Sequence, residues 1–376
     1  MATELASSAA ATQQLPGATQ KQQKPSPQSP HQPQAAPPLR VLITGASEGI
    51  GAAVARRFAS AAAAATNANA TSGGAGVRLA LLSRSREKLQ ALVASLPQPA
   101  AAAGAAGAGE GAGAEGSGGA GGGHVVLPAD LRDTAALRGV VAQAVEQLGG
   151  LDVVVHNGAP GDLDPRDILN PDTWRTQLDL HVLSAVAIAG AAQEALAASP
   201  RGGVLLCVSS ICGQAPMPAF AAYCAAKAAQ DMLVRTLAVA WGGSGIRVLS
   251  VAPGPIHTPG LERYAEHVGR KASGATDRDA AVVEGLKVVG SRQPLGRVGT
   301  PEEVAAAIHF LTTPEAGFVT GVVLPIDGGA LAYSAWGGGS SGSSGRSSLT
   351  SAQQGKTRDG SARGVEAPAG AGEVEA

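Results

Sequence analysis

Three side chains near the middle of the chain have the types and the spacing needed for acid–base chemistry on an oxygen atom. Tyr223 and Lys227 are four residues apart in Ala-rich sequence, so a helix would place both on one face, one turn apart. A nearby ammonium favours the phenolate, so we expect Lys227 to lower the pKa of Tyr223 from its usual value near 10. Ser210 follows an apolar run, residues 204–208, and offers a second hydroxyl. Any Ala-rich amphipathic helix can carry a Tyr-x-x-x-Lys pair, so the pair gains meaning only from its surroundings.

A strand, a glycine-rich turn and a helix begin the ordered part of the sequence. Residues 39–43 predict a short buried strand, residues 44–51 read TGASEGIG, and the helical run Ala52–Ala59 follows. Exposed amides and the positive end of the helix would attract a pyrophosphate there. The spacing is Gly-x-x-x-Gly-x-Gly rather than the commoner G-x-G-x-x-G, and glycine turns join many strands to helices. The turn therefore predicts a phosphate site only in combination with other elements.

Strands and helices alternate along the rest of the chain. Further strands are predicted at residues 77–82, 124–131, 151–159, 204–208, 245–254 and 321–329, and helices at 134–148, 174–198, around Tyr223 and at 301–311. Strands that alternate with helices predict a parallel sheet covered on both faces, a Rossmann-type doubly wound α/β fold. The site should lie at the carboxyl ends of the strands. Between the last two strands an irregular stretch runs to Arg297, and within it residues 260–292 would form a lid.

Three segments of biased composition flank or interrupt this pattern. Residues 1–38 are rich in Ala, Gln, Pro and Ser, residues 97–123 are almost entirely Ala and Gly, and residues 336–376 are mostly Gly, Ser and charged residues. Such segments bury too little apolar surface to offset chain entropy, so we expect them to be disordered or linker-like. A single globular domain is predicted over residues 39–335.

Charge, cysteine content and hydropathy exclude several classes of function. The formal net charge is −1, with no basic stripe, so we expect no nucleic-acid or acidic-membrane partner. The three cysteines have no zinc spacing, and a reduced cytoplasmic protein without a metal site is expected. No uncharged apolar run reaches about 18 residues, which argues against a membrane span. Residues 1–38 are Ser/Ala-rich and acid-poor but contain no Arg, so a plastid or mitochondrial address stays an alternative.

The end of the second strand bears on cofactor choice. Ser83 and Arg84 stand where a dinucleotide site often has an acid for the ribose 2′-hydroxyl, and a basic residue suits a 2′-phosphate. We therefore expect NADP(H). Glu48 in the glycine turn opposes that choice, because its carboxylate would repel the phosphate unless it turns to solvent.

With these elements in order, the chain resembles the short-chain dehydrogenase/reductase family over about residues 39–330. The glycine turn, the Ser–Tyr–Lys set with its thirteen-residue Ser–Tyr gap, the turn at residues 253–258 and the segments at 294–305 and 320–329 carry the resemblance. It implies that Ser210, Tyr223 and Lys227 are catalytic. The cofactor-binding residues it implies, with Arg84 from the argument above, are Gly45, Ser47, Gly49, Ile50, Gly51, Arg84, Asp130, Asn157, Tyr223, Lys227, Pro253, Gly254, Ile256 and Thr258.

Some positions depart from the family pattern. The Asn-Asn-Ala-Gly strand end is His156-Asn157-Gly158-Ala159 here, which keeps only the second Asn in register. The family's fourth catalytic residue is an Asn that helps to hold a water chain to the catalytic Lys, and His181 stands in its place. We take His181 as the fourth catalytic candidate, since it can hydrogen-bond, although its shape and its titration near neutrality differ from those of Asn.

The resemblance implies hydride transfer between nicotinamide and a carbonyl or secondary alcohol on a small-molecule substrate. It also implies a homodimer or homotetramer built on the helices after the fourth and fifth strands. A 3-oxoacyl-carrier-protein reductase stays open as a narrower alternative. The alternative from another functional class is a non-catalytic nucleotide-binding scaffold. The intact Ser–Tyr–Lys set argues against it, and His181 argues for it.

Overall fold

Seven parallel strands form one sheet in the computed structural model, which describes residues 37–68, 76–99, 123–158 and 168–335. The strands are β1 (Leu39–Thr44), β2 (Val77–Ser83), β3 (Val125–Pro128), β4 (Val153–His156), β5 (Val204–Val208), β6 (Arg247–Pro253) and β7 (Val323–Ile326). All seven were predicted, most of them somewhat longer. The predicted low-complexity segments 1–38, 97–123 and 336–376 lie wholly or largely outside the described residues, as does Ala159, so the predicted domain boundaries stay a prediction.

The strand order is β3-β2-β1-β4-β5-β6-β7, which makes the fold a Rossmann-type doubly wound sheet as predicted. The central strands β4 and β5 are fully buried, β1 is buried from Val41 onward, and most of their residues are Val, Leu or Ile, because helices cover both faces of the sheet. The chain reverses its direction of winding between β1 and β4. In doubly wound folds, ligands bind in a crevice at the carboxyl edge of the sheet beside this point of reversal.

Ten helices flank the sheet within the described part of the chain. They are α1 (Gly49–Ala68), α2 (Arg86–Ser95), α3 (Thr134–Leu148), α4 (Pro171–Leu178), α5 (Ser184–Ala197), α6 (Ala221–Trp241), α7 (Pro259–Ser273), α8 (Arg278–Ser291), α9 (Pro301–Thr312) and α10 (Ala330–Ala335). Helices α1 and α9 pack together on one face of the sheet, and α3 and α5 pack together on the other. Two hydrophobic clusters, one on each face, form the core.

The helix predicted over residues 174–198 begins earlier and is not a regular α-helix throughout. Between α4 and α5 the chain makes one wider π turn, Asp179–Leu183, in which the Ser184 amide donates to the Asp179 carbonyl. Single π turns inside α-helices occur often at functional sites. His181 lies in this turn, so the turn decides where its ring points.

The prediction of an irregular stretch up to Arg297 is wrong, because α7 and α8 form a helical hairpin over most of it. Thr258 caps the N-terminus of α7, with its side chain accepting from the Leu261 amide, and Asp277 caps α8 in the same way. Gly274 ends α7 in the left-handed conformation, at a φ of 69°. These caps were present in the sequence as start and stop signals.

The stretch Pro171–Ala197 is long and apolar enough to cross a membrane by length and composition alone. In the structure, however, α5 packs Ile188, Ala192 and Leu196 into the core cluster that it shares with α3. A core helix passes the same test of length and hydropathy, so the stretch is weak evidence for a membrane span.

Candidate active site

Four side chains predicted from the sequence come together at the carboxyl edge of the sheet. Ser210 lies two residues beyond β5, Tyr223 and Lys227 lie on the first turns of α6, and His181 lies in the π turn. The ring of Tyr223 packs edge-on against the His181 ring, with 5.3 Å between the two centroids. The Lys227 ammonium is 5.7 Å from the Tyr223 ring centroid. The structure therefore assembles one cluster from three separate stretches of chain.

Lys227 is almost completely buried, with 1% of its surface exposed. Its Nζ donates to the Val208 carbonyl at 2.8 Å and to Gln230 Oε1 at 3.0 Å. Burial lowers the pKa of Lys227 to about 8, because the charged form is poorly solvated there, although Cys207, Asp231 and Cys212 partly oppose this shift. Lys227 therefore stays mostly protonated at neutral pH but loses its charge in mildly alkaline solution.

Burial raises the pKa of Tyr223, contrary to the expectation that Lys227 lowers it. Desolvation is the largest cause, Cys212 adds to it, and a hydrogen bond from the Ser210 side chain acts in the opposite direction. The physical reason is visible in the hydrogen bonds of Lys227, whose ammonium donates to Val208 and Gln230 and faces the ring of Tyr223. Tyr223 therefore keeps its proton at neutral pH.

His181 is fully buried, and neither of its ring nitrogens has a hydrogen-bond partner among the described residues. Desolvation, followed by the charges of Lys227 and His156, holds the pKa of His181 well below its usual value. A buried polar group without a partner costs free energy. A neutral imidazole offers one donor and one acceptor, so His181 can hydrogen-bond a ligand or water at this edge of the sheet.

The glycine turn packs against the end of β4 so closely that side chains do not fit. A Cβ on Gly45, whose φ is 60°, would overlap the backbone oxygen of Asn157, and a Cβ on Gly51 would overlap the backbone oxygen of Gly45. The Thr44 hydroxyl and the Asn157 backbone hydrogen-bond each other at 3.0 and 2.9 Å. Ser47 and Ile50 are half-buried in the same turn. The turn thus presents its backbone amides, with the N-terminus of α1, to the crevice.

The turn after β6 faces this glycine turn across the crevice. A Cβ on Gly49 would lie 3.2 Å from the Thr258 side chain, so the two turns approach each other closely. Gly254 packs against Asp327, and Ile256 forms an isolated bridge with Gly299, which holds the segment from Pro253 to Thr258 in place. Backbone amides, a helix N-terminus and a Cβ-free cradle are what a dinucleotide pyrophosphate requires, so these residues fit a nicotinamide cofactor.

Two ion pairs surround the end of β2. The Glu48 carboxylate was expected to repel a 2′-phosphate. Its Oε2 lies 2.7 Å from Nζ of Lys88 on α2. Asp130 pairs with Arg132 at 2.6 Å, and this hydrogen bond lowers the pKa of Asp130. Arg84 is exposed beside them and its charge also acts on Asp130. Lys88 was not singled out in the sequence, because its pairing with Glu48 joins residues forty positions apart.

Three further buried polar residues lie behind Lys227, and none of them was selected from the sequence as a site residue. Gln230 contacts Lys227, His156 and the His181 carbonyl, and His156 in turn contacts Ser184. Burial lowers the pKa of His156 to about 3, and the charge of Lys227 contributes to the shift. One signal was available: Gln230 lies three residues after Lys227, on the helix face that should pack against the sheet.

Within the part of the chain that the structure describes, no cluster of three or more His, Cys, Asp or Glu side chains could hold a metal ion.

Comparison with known proteins agrees with the fold and with the motifs. The family model described as enoyl-(acyl carrier protein) reductase matches residues 100–330. The chain is 32% identical to 3β-hydroxysteroid dehydrogenase 1 of Eggerthella lenta over 56% of its own length and 76% of that protein. It is 33% identical to the inactive 2-(S)-hydroxypropyl-CoM dehydrogenase 2 of Xanthobacter autotrophicus, over 54% of this chain and 84% of that protein.

Among solved structures, the L-sorbose reductase of Gluconobacter frateurii in complex with NADPH and L-sorbose is similar, with a TM-score of 0.63 and 26% identity. The match covers 78% of this chain and 97% of that chain. The chain belongs to the short-chain dehydrogenase/reductase family, and the protein is an oxidoreductase of a family that binds nicotinamide cofactors.

Proposed function

We propose that this protein is an NADP(H)-dependent reductase of a carbonyl group, or in reverse a dehydrogenase of a secondary alcohol, on a small molecule. One observation carries the proposal. Buried Ser210 and Lys227 and half-buried Tyr223 form a cluster at the carboxyl edge of the sheet that also holds a glycine turn with room only for backbone. A nicotinamide cofactor, when bound, supplies or accepts the hydride.

Each residue of the cluster has a role that its environment supports. The Tyr223 hydroxyl, which burial keeps protonated, donates its proton to the alkoxide oxygen that forms during reduction. The Ser210 hydroxyl donates a hydrogen bond to the same oxygen and stabilises its developing charge. Lys227, mostly protonated below pH 8, adds positive charge beside Tyr223. His181, whose ring nitrogens have no partner in the described part of the chain, offers them to a water or to the substrate beside Tyr223.

The preference for NADP(H) rests on the charges at the end of β2. Arg84 is exposed directly after the strand, and Ser83 leaves the strand without a carboxylate that would repel a 2′-phosphate. The salt bridge with Lys88 neutralises Glu48, which removes the main objection to a phosphate at this place. Charge-assisted hydrogen bonds from a guanidinium to a phosphate are among the strong ones.

The substrate is proposed only as a class. The relatives named above include a hydroxysteroid dehydrogenase and an L-sorbose reductase, whose substrates differ widely, so the family resemblance does not select one substrate. A 3-oxoacyl-carrier-protein reductase remains a narrower candidate. A non-catalytic nucleotide-binding scaffold is the second candidate, favoured by His181 in the place of the expected Asn and by the similarity to a relative described as inactive.

Oxidation of NADPH with a panel of ketones, diketones and 3-oxoacyl thioesters tests the proposal. We expect turnover with at least one of them, and Tyr223→Phe should lower kcat by about 10²-fold or more while NADPH binding stays nearly unchanged. Enhanced NADPH fluorescence without turnover on any substrate favours the scaffold. A Phe variant that keeps more than about a tenth of wild-type turnover contradicts the role of Tyr223.

We also propose a homodimer or homotetramer in the cytoplasm. The π turn and helices α5 and α6 expose apolar side chains that a second copy can cover, including Leu183, Val186, Met232 and Val239. All three cysteines are free, which suits a reducing compartment.

A further inference from the structure

A chain of buried hydrogen bonds runs from Lys227 away from the reacting oxygen. Lys227 Nζ and Gln230 Oε1 are 3.0 Å apart, and Gln230 Nε2 lies 3.1 Å from His156 Nδ1 and 3.0 Å from the His181 carbonyl. His156 Nε2 lies 2.9 Å from Ser184 Oγ, which is 2.7 Å from the Leu180 carbonyl. The side chains of Lys227, Gln230, His156 and Ser184 are all fully buried or nearly so.

The direction of every bond in this chain follows from its last member. The Leu180 carbonyl can only accept, so the Ser184 hydroxyl must donate its proton to it. The Ser184 oxygen then accepts from His156 Nε2–H, which leaves Nδ1 of the neutral imidazole as an acceptor. Gln230 must therefore turn its NH₂ group toward His156 and the His181 carbonyl. Its oxygen is left facing the Lys227 ammonium.

We propose that Gln230 is a positioning residue for Lys227, whose amide joins the ammonium to the backbone of the π turn and is held in one orientation by His156 and Ser184. An amide releases no proton at neutral pH, and the chain ends at a carbonyl, which has none to give. The chain therefore holds Lys227 and carries no proton to it. We call the contact between the Gln230 amide and the Lys227 ammonium the clamp. One turn of helix separates the two residues, so the clamp lies within α6 itself.

The clamp contributes to holding a charged lysine in a buried site, together with the groups around it. Groups that face Lys227 from the elements around it are Cys207 of β5, Cys212 after β5, Tyr223 and Asp231 of α6, His156 of β4 and His181 of the π turn. Both histidines are neutral, and burial raises the pKa of Asp231 and of Cys207. Nζ also donates directly to two neutral acceptors, Gln230 Oε1 and the Val208 carbonyl, and these hydrogen bonds favour its charged form.

Two substitutions at Gln230 should move the alkaline limb of the kcat/KM pH profile in opposite directions. Gln230→Met keeps the length of the side chain but removes the acceptor, and this should shift the limb down by about one pH unit and lower kcat by about tenfold. Gln230→Glu keeps an acceptor and adds charge, which should shift the limb upward. Gln193→Met, an exposed glutamine on α5, is the matched control and should change neither quantity. A limb that stays in place in both Gln230 variants overturns the proposal.

These kinetic measurements rest on the proposed function, whereas NMR and thermal unfolding test the clamp without it. NMR of protein labelled with ¹⁵N in histidine should show His156 neutral and protonated at Nε2 across neutral pH. A thermal-unfolding cycle of Gln230→Met and Ser184→Ala should show that the double variant loses less stability than the sum of the singles, because both belong to one chain. A His156 protonated at Nδ1, or additive losses, contradicts the clamp. Absence of turnover in the wild type contradicts the proposed function alone.

Discussion

At the scale of single residues, the site combines a lysine whose charged form is destabilised by burial with a tyrosine that burial keeps protonated. Burial disfavours the charged form of each group, so it lowers the pKa of Lys227 and raises that of Tyr223. The two shifts leave both groups protonated at neutral pH, the state needed to deliver a proton to an alkoxide. Catalytic groups often have pKa values perturbed by burial in this way.

Arg84 should decide the choice of cofactor. Two charge-assisted hydrogen bonds to a 2′-phosphate, discounted for exposure, should favour NADPH over NADH by about one or two orders of magnitude in kcat/KM. Arg84→Ala should remove most of that preference by weakening NADPH alone, whereas Arg263→Ala on the lid is the control. Steady-state kinetics with both cofactors provide the measurement. Equal efficiency with the two cofactors in the wild type contradicts the prediction.

His181 should tolerate replacement by a hydrogen-bonding side chain and not by an apolar one. Its ring nitrogens have no partner among the described residues, so a role in holding water or substrate requires a polar group there. His181→Asn should retain activity, and His181→Leu should lose most of kcat while NADPH binding, measured by fluorescence, is kept. Full activity in the Leu variant shows that this position lies outside the proton path.

At the scale of elements, the α7–α8 hairpin is held together by small residues. A Cβ on Gly269 would overlap the Ala281 carbonyl, and a Cβ on Gly285 would overlap the Ala265 carbonyl, so the two helix backbones touch at both points. Glycine allows this close approach in the same way as it does between packed membrane helices. The hairpin also contacts the start of α6, where the Tyr264 and Phe220 rings are 6.1 Å apart. The hairpin predicted to form the lid is therefore closely packed within itself and contacts the start of α6.

Forcing α7 and α8 apart should weaken substrate binding more than cofactor binding. Gly269→Val should force the two helices apart and raise the KM for the carbonyl substrate by about tenfold, with the Kd of NADPH changed less than threefold, since overpacking costs roughly 1–3 kcal/mol. Gly139→Ala on α3, where a Cβ meets nothing, is the control and should slightly stabilise the protein. An unchanged KM in the Val variant indicates that the lid does not shape the substrate site.

At the scale of the whole molecule, two buried neutral histidines make the stability depend on pH. The pKa of His156 is about 3 in the folded protein, and an unfolded histidine titrates near 6.5. Below pH 6.5 the unfolded chain therefore binds protons that the folded protein excludes. His181 behaves in the same way. Stability is retained above about pH 6.5 and decreases as the pH falls below it.

His156→Asn should make the protein less sensitive to acid. Between pH 7 and pH 5 the wild type should lose about 2 kcal/mol of unfolding free energy through His156, at roughly 1.4 kcal/mol per pH unit below 6.5, and the variant should not. Urea unfolding at both pH values measures this, with His267→Asn, an exposed histidine on α7, as the control. The same loss in both variants contradicts the prediction.

The sequence by itself determined the fold class and the order of strands and helices along the chain, and it predicted the glycine turn and the Ser210–Tyr223–Lys227 set. These depend on local signals: apolar runs for strands, glycines where a Cβ does not fit, and a four-residue spacing on one helix face. The caps at Thr258 and Asp277, which begin the two helices of the hairpin, are equally local signals, although the stretch lacks the apolar runs that mark the other elements.

The tertiary structure alone decided what surrounds these residues. The π turn that aims His181, the Glu48–Lys88 pair and the Gln230–His156–Ser184 chain each join positions far apart along the chain. The pKa of Tyr223 is raised rather than lowered, and this direction also depends on contacts between distant parts of the chain. A spacing of four residues shows that Lys227 is near, but only packing shows that burial outweighs its charge and that its hydrogen bonds go to Val208 and Gln230.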